Sequence, residues 1–201
     1  MTISDKDIRK KAAMSGLLLG VIVIVMTIFS FYYVTTMASS PYMVSFGPLI
    51  FSVTIPIVVA VFFAIDLRKK IGGYWNFKQA VTGFFVMFLV SYAVNYVGTN
   101  LLFAKVIEPQ MVEKTQEAVK NASAKIMEEK NVDQEKIDEQ MEKIQKQFDE
   151  QKEDTPTKVI AHFGISIIMI FVVAMIFAAI FKKEQPRYLT DDYQAPADPT
   201  V

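Results

Sequence analysis

Cysteine is absent from the chain, which excludes disulfides, thiolate zinc sites, a lipoprotein anchor and a cysteine nucleophile. Histidine occurs once, at His162, and a zinc site needs three or four ligands. An excess of charge is also missing: 21 basic residues balance 21 acidic ones, with no basic tail or dense basic stripe, so nothing favours nucleic acid as a partner. No catalytic, metal-binding or cofactor-binding motif is recognisable, and the expectation is a chain that is not an enzyme, needs no cofactor and takes no small-molecule substrate. The most informative absence is local. No Asp, Glu, Lys or Arg lies between Lys11 and Asp66, and two further uncharged runs extend from Gln79 to Ala104 and from Val159 to Phe181. A soluble protein must place charges along every surface helix, whereas uncharged apolar runs longer than about 18 residues read as membrane spans.

What is present then falls into place. The first run is too long for one helix and divides at Ser39-Ser40-Pro41. This places spans at about Met14–Tyr33, Val44–Leu67, Gln79–Phe103 and Val159–Phe181, each long enough for a hydrocarbon core of roughly 30 Å. Tyr32, Tyr33 and Tyr42 flank the first turn as an aromatic belt, and Tyr74 and Trp75 precede the third span in the same way. Asn76 with Gln79 predicts a capping box, Thr155-Pro156 predicts the start of the fourth helix, and Pro48 with Pro56 predicts a bent second span. Asp66 is expected in an interfacial ion pair with the neighbouring Arg68 and Lys69. Lys6, Arg9, Lys10, Lys11, Arg68, Lys69, Lys70, Lys78, Lys182, Lys183 and Arg187 flank the spans on one side, which points to both termini in the cytoplasm. A cleaved signal peptide is the rival reading of the first run, opposed by its length.

Between spans three and four lies a loop with fourteen acidic residues against ten lysines, rich in strong helix formers. Asn131 can stop one helix and Asp133 can cap another, giving two arms at about 109–130 and 133–154. Ile137, Met141, Ile144 and Phe148 form an a/d seam on the second arm; Val112, Thr115, Val119, Ala122 and Ile126 form one on the first. The seams either pack on each other or receive a partner protein, and the four residues of the second arm are the candidate partner-binding anchors. Glu139–Lys143 and Glu142–Lys146 are favourable i,i+4 pairs.

Helix-packing candidates are Ala12, Gly16 and Gly20, a small-xxx-small ridge on span one, with a weaker ridge at Ala174 and Ala178. Ser91, Asn95 and Gly98 share a face of span three, where an amide can hydrogen-bond across helices. The ridge serves packing within the chain or against another subunit.

The run Gly72-Gly73-Tyr74-Trp75-Asn76-Phe77-Lys78-Gln79-Ala80, with Asn95-Tyr96, the Glu108-Pro109 exit, the Met- and Glu-rich loop and Lys182-Lys183, resembles the bacterial membrane-protein family catalogued as domain of unknown function 4199, common in Bacteroidota, over about residues 10–183. The resemblance implies a bacterial inner membrane and a periplasmic loop, and carries over no catalytic residues. The expected fold is an all-α membrane protein with four transmembrane helices and a periplasmic helical hairpin between spans three and four. The expected layout is a cytoplasmic N-terminus at 1–13, spans one to three within 14–104, the hairpin at 105–158, span four at 159–181 and a disordered cytoplasmic tail at 182–201.

Three functional classes remain. A non-enzymatic accessory or scaffold subunit of a larger complex, in protein export or envelope assembly, fits an apolar bundle with an outer arm; its partners are the lipid bilayer and other membrane-protein subunits. A small transporter or channel component expects charged or broken-helix features near mid-membrane. An intramembrane enzyme expects convergent acid, base or metal residues.

Overall fold

The computed structural model describes residues 4–152 and 155–184. Four helices are long and apolar enough to cross a membrane: Asp5–Met37, Pro41–Lys70, Phe77–Ile107 and Thr157–Phe181. Each is longer than its uncharged core. The first, at 33 residues, measures about 50 Å at 1.5 Å per residue and therefore projects beyond a bilayer. Its start is set by Ser4, whose hydroxyl accepts from the Lys6 amide, and by Asp5 and Asp7 in the first turn, where the helix dipole favours acids. The basic segment Arg9–Lys11 is thus helical, and Ile8 and Ala12 on either side of it are buried.

Local chemistry sets the other boundaries. Ser40 caps span two with Pro41 at its first turn. That span ends in a Schellman motif: the Gly73 amide donates to Arg68 O at 2.9 Å and the Gly72 amide to Lys69 O at 3.1 Å. Both glycines have positive φ, 99° and 84°, a conformation that side chains disfavour. Asn76 and Gln79 form the expected capping box, each side chain accepting from the other's amide at 2.9 and 3.1 Å. Thr155 caps the fourth helix, followed by Pro156.

Three stretches widen into π-helix: Tyr33–Met37, Ile50–Thr54 and Tyr96–Ile107. The second lies between Pro48 and Pro56, where each missing N–H breaks the regular ladder. The proline pair thus shows itself as a change of helix type in mid-span. The third follows Asn95 and runs to Ile107, where Glu108, at φ −133° and ψ 74°, leaves the helical conformation and ends the helix.

The hairpin arms are Met111–Glu129 and Gln134–Lys152, each of 19 residues and about 28 Å long. The turn is again a Schellman motif, with Asn131 at φ 52° and the Val132 amide donating to Met127 O at 3.0 Å. Asn131 tolerates the left-handed conformation better than most side chains.

In the bundle, span one packs most extensively on span three, span two on span one, and span four on span three. Spans two and four touch lightly, through the Ile55–Lys70 half of span two. The core is concentrated towards the described ends of the chain, where Ile8, Ala12, Leu67, Ile71, Trp75, Ala80, Phe84 and Ala178 are all buried. A second small cluster joins Val34 and Val44, beside the turn between spans one and two, to Ala122 of the first arm.

Candidate functional site

Three places gather the residues that could carry function: the clasp near the described termini, the seam between spans one and three, and the hairpin with the recess beneath it.

The clasp is built from the Gly72–Ala80 motif. Trp75 is 2% exposed, not the interfacial belt residue its position implies. Its ring meets Phe84 edge-on at 4.9 Å, and its indole N–H donates to Phe181 O at 3.0 Å. Its backbone exchanges two hydrogen bonds with Lys183, the Trp75 amide to Lys183 O at 2.8 Å and the Lys183 amide to Trp75 O at 3.2 Å. The Lys183 ammonium sits over the Tyr74 ring at 5.2 Å. Lys182 and Lys183 are therefore ordered by the clasp; residues 185–201 of the expected tail lie outside the described residues. Gly83 makes room for the indole, since a Cβ there would lie 2.8 Å from the Trp75 ring. Lys11 Nζ donates to Lys70 O at 2.6 Å, which ties the start of span one to the end of span two. Asp66 pairs with Lys70 at 2.7 Å and not with its nearer neighbours, because i,i+4 residues share a helix face.

At the seam, Gly16 and Gly20 lie against span three. A Cβ on Gly16 would run into the Met87 carbonyl; one on Gly20 would meet Val94 Cβ at 2.8 Å and Ser91 O at 3.0 Å. Ala12 is fully buried in the same row. Gly98 gives the matching space on span three, occupied by the Ile24 side chain. Ser91 is buried, whereas Asn95 is half-buried and accepts from Thr99 Oγ1 at 3.0 Å. Its hydrogen bond lies within its own helix, because residues four apart share a helix face; the cross-helix amide bond expected from the sequence is not what its carbonyl makes. Spans three and four are instead linked by Tyr92 OH donating to Ser166 Oγ at 3.2 Å, next to Phe163 packed edge-on against Tyr96. Ala174 and Ala178 are fully buried in the core cluster shared with span three. His162 is exposed, and among the described residues no group of three or more His, Cys, Asp or Glu could hold a metal ion.

In the hairpin, Ile137 and Ile144 are buried, and the second arm packs on the first. Met141 and Phe148 are half-buried. The two isoleucines are therefore consumed by the hairpin's own interface and do not face an open partner surface. Gln116 Nε2 donates to Gln145 Oε1 at 2.7 Å within that interface, and Lys120 donates to the same oxygen. Glu139–Lys143 at 2.7 Å and Glu142–Lys146 at 2.8 Å form the expected pairs on the exposed face. The hydrogen bond and charge of Lys146 hold the Glu142 carboxyl below the usual carboxylate range, and Glu142 raises Lys146 in turn. The first arm's seam is split: Ala122, with Ala118 beside it, turns to Val34, Val44, Tyr33 and Ala38. Small side chains at those positions let the arm lie directly on the turn between spans one and two.

Beneath the arm is a recess of about 410 Å³ among Phe31, Tyr32, Thr35, Thr36, Glu108, Lys114, Glu117, Ala118 and Asn121. Lys114 Nζ pairs with Glu108 Oε1 at 2.8 Å across its wall. The sequence announces Glu108 only as a helix exit, and it gives no sign that residues 31–36 and 108–121 meet.

A family model described as a protein of unknown function matches residues 15–183. The chain belongs to the DUF4199 family. The match takes in the hairpin, spans two to four and span one from Ser15 onward; the first turns of span one, with the buried Ile8 and Ala12, precede it. No curated protein and no solved structure matches the chain.

Proposed function

We propose that this DUF4199 protein is a non-enzymatic accessory or scaffold subunit of a larger bacterial inner-membrane complex acting in protein export or envelope assembly. In this reading the hairpin stands in the periplasm and both termini lie in the cytoplasm, with the basic residues around Arg9, Lys69 and Lys182 on the inner side. The observation that carries it is the docking of the first arm on the bundle through Ala118 and Ala122. A tethered but loose loop would sweep space; an arm seated on the span ends holds its outer face at a fixed place and height. The second arm packs on the seated first arm and carries Glu135, Glu139, Glu142, Lys143 and Lys146, all exposed. The spans support the same reading, since Thr27, Thr35, Thr36, Ser45 and Thr82 each donate to the carbonyl four residues earlier in their own helix. A hydroxyl used in this way has spent its donor on its own helix.

The test is affinity purification of the intact chain in mild detergent with mass spectrometry, compared with a variant carrying Glu135→Lys, Glu139→Lys and Glu142→Lys. Specific membrane-protein partners that are lost from the charge-reversed chain, while it inserts and accumulates normally, are the expected result. Full function of that variant in cells, with the same co-purifying set, would remove the arm from the proposal.

A further inference from the structure

We infer that the recess between the outer end of span one and the first arm binds the headgroup of a phosphoethanolamine-type lipid, with the ammonium inside and the phosphate at Lys114. The lining is rich in acceptors. Glu117 is exposed and in no ion pair among the described residues; Asn121 offers an amide oxygen, and Tyr32 a phenol and a ring face. The Thr35 and Thr36 hydroxyls donate to Phe31 O and Tyr32 O at 2.9 and 2.6 Å, which orients their lone pairs away from those carbonyls and leaves them free to accept. With Glu108 and Glu117 against Lys114 the lining carries one net negative charge, so a primary ammonium is favoured and a purely anionic group is repelled. An ammonium has three donors for these acceptors and can lie over the Tyr32 ring. Lys114 is about half exposed and gives one hydrogen bond to Glu108, leaving donors for a phosphate beside the carboxylates.

The surroundings select a lipid over a soluble molecule. The helix that delivers Glu108 ends in Val106 and Ile107, which are 71% and 64% exposed, with Leu102 at 55%. Apolar side chains this bare one turn from a charged recess mark the level where acyl chains give way to headgroups. The recess volume of about 410 Å³ is in the range of ligand pockets, and its floor is the buried Phe31 ring. A lipid seated here would link span one, the exit of span three and the first arm, so it would brace the hairpin that the functional proposal uses. The site itself is independent of that proposal.

The experiment uses the purified full chain in detergent, delipidated by extended washing. Thermal unfolding is followed with added dioleoyl phosphatidylethanolamine, dioleoyl phosphatidylglycerol or free phosphoethanolamine at equal concentration. The expected result is a rise in Tm with phosphatidylethanolamine, little with phosphatidylglycerol and little with free phosphoethanolamine. Glu117→Gln removes an exposed charge and should weaken the phosphatidylethanolamine response about five-fold. Asn121→Asp adds a charge at the same mouth and should strengthen it, which keeps a readout if the first variant is unstable. Equal stabilisation by the two lipids, an effect of free phosphoethanolamine matching the lipid, or a lipid preference unmoved by both variants would overturn the inference.

Discussion

At the residue scale the contacts that matter are made by residues with little side chain. Gly16 faces the Met87 carbonyl with no room for a methyl group, and the obstacle is backbone, which cannot rotate aside. Gly16→Ala is therefore expected to destabilise the bundle by about 1–3 kcal/mol, an overpacking cost, measured as a lower Tm in detergent. An unchanged Tm would mean the helices separate without penalty. Ser15 is the opposite case. Its hydroxyl is fully buried with no hydrogen-bond partner among the described residues. Ser15→Ala should leave stability unchanged or raise it by about 1 kcal/mol, because an unsatisfied polar atom disappears with almost no change in shape. A clear loss of stability would reveal a partner for that hydroxyl. Of the two, the glycine is legible in the sequence through its four-residue spacing with Ala12 and Gly20; the serine is not, since a hydroxyl in a span normally bonds back to its own helix.

At the element scale the hairpin is readable almost throughout, because its signals are local. Asn131 ends the first arm, and the Glu–Lys pairs follow i,i+4 spacing. The pair of Glu142 and Lys146 gives a pH dependence whose sign follows from the shifts. Glu142 is lowered, so its contribution is present above the ordinary carboxylate range and is lost as pH falls through its own value. Lys146 is raised, so its contribution is present below the ordinary lysine range and is lost as pH rises through its own value. Protection of the second-arm amides, taken as the exchange rate relative to the intrinsic rate at each pH, should therefore be highest between those ranges and fall on acidification, modestly because both groups are solvent-exposed. Glu142→Gln should blunt the acid limb; an unaltered profile would show that the pair adds nothing. What sequence periodicity misjudges is the partner of each seam. An a/d rhythm says that a helix has an apolar face, and Ala122 has one, but the rhythm does not say that the face rests on Val34 and Val44.

On the scale of the whole molecule, the clasp holds three separate parts of the chain together. Trp75→Ala would remove a buried indole, its hydrogen bond to Phe181 and the wedge under Phe84. The expected cost is about 3 kcal/mol or more, seen as a large fall in Tm and as protease access near Lys183. Trp75→Phe should recover part of the packing but not the bond to the Phe181 carbonyl. If both variants match the parent, the motif that carries the family resemblance is not structural. The proposed orientation makes a separate prediction: a periplasm-active reporter inserted after Asn131 should be active, and one after Gly72 inactive. Activity at Gly72 would overturn the basic-flank argument.

The sequence by itself determined that this chain crosses a membrane four times, where its helices break, and which residues cap them. Those features depend on hydropathy over about 20 residues and on hydrogen bonds between near neighbours, and both are written in local order. Only the tertiary structure decided which faces meet. Trp75 read as an interfacial aromatic because its neighbours are polar, yet Gly83 and the returning end of span four enclose it. Ile137 and Ile144 read first as hairpin core and, as the alternative, as partner anchors; the packing of the second arm on the first buries them. The recess joins residues 31–36 to residues 108–121 across more than seventy positions of chain. No local pattern encodes such a meeting, because it follows from the packing of spans one and three and from the small residues that let the first arm come down onto the bundle.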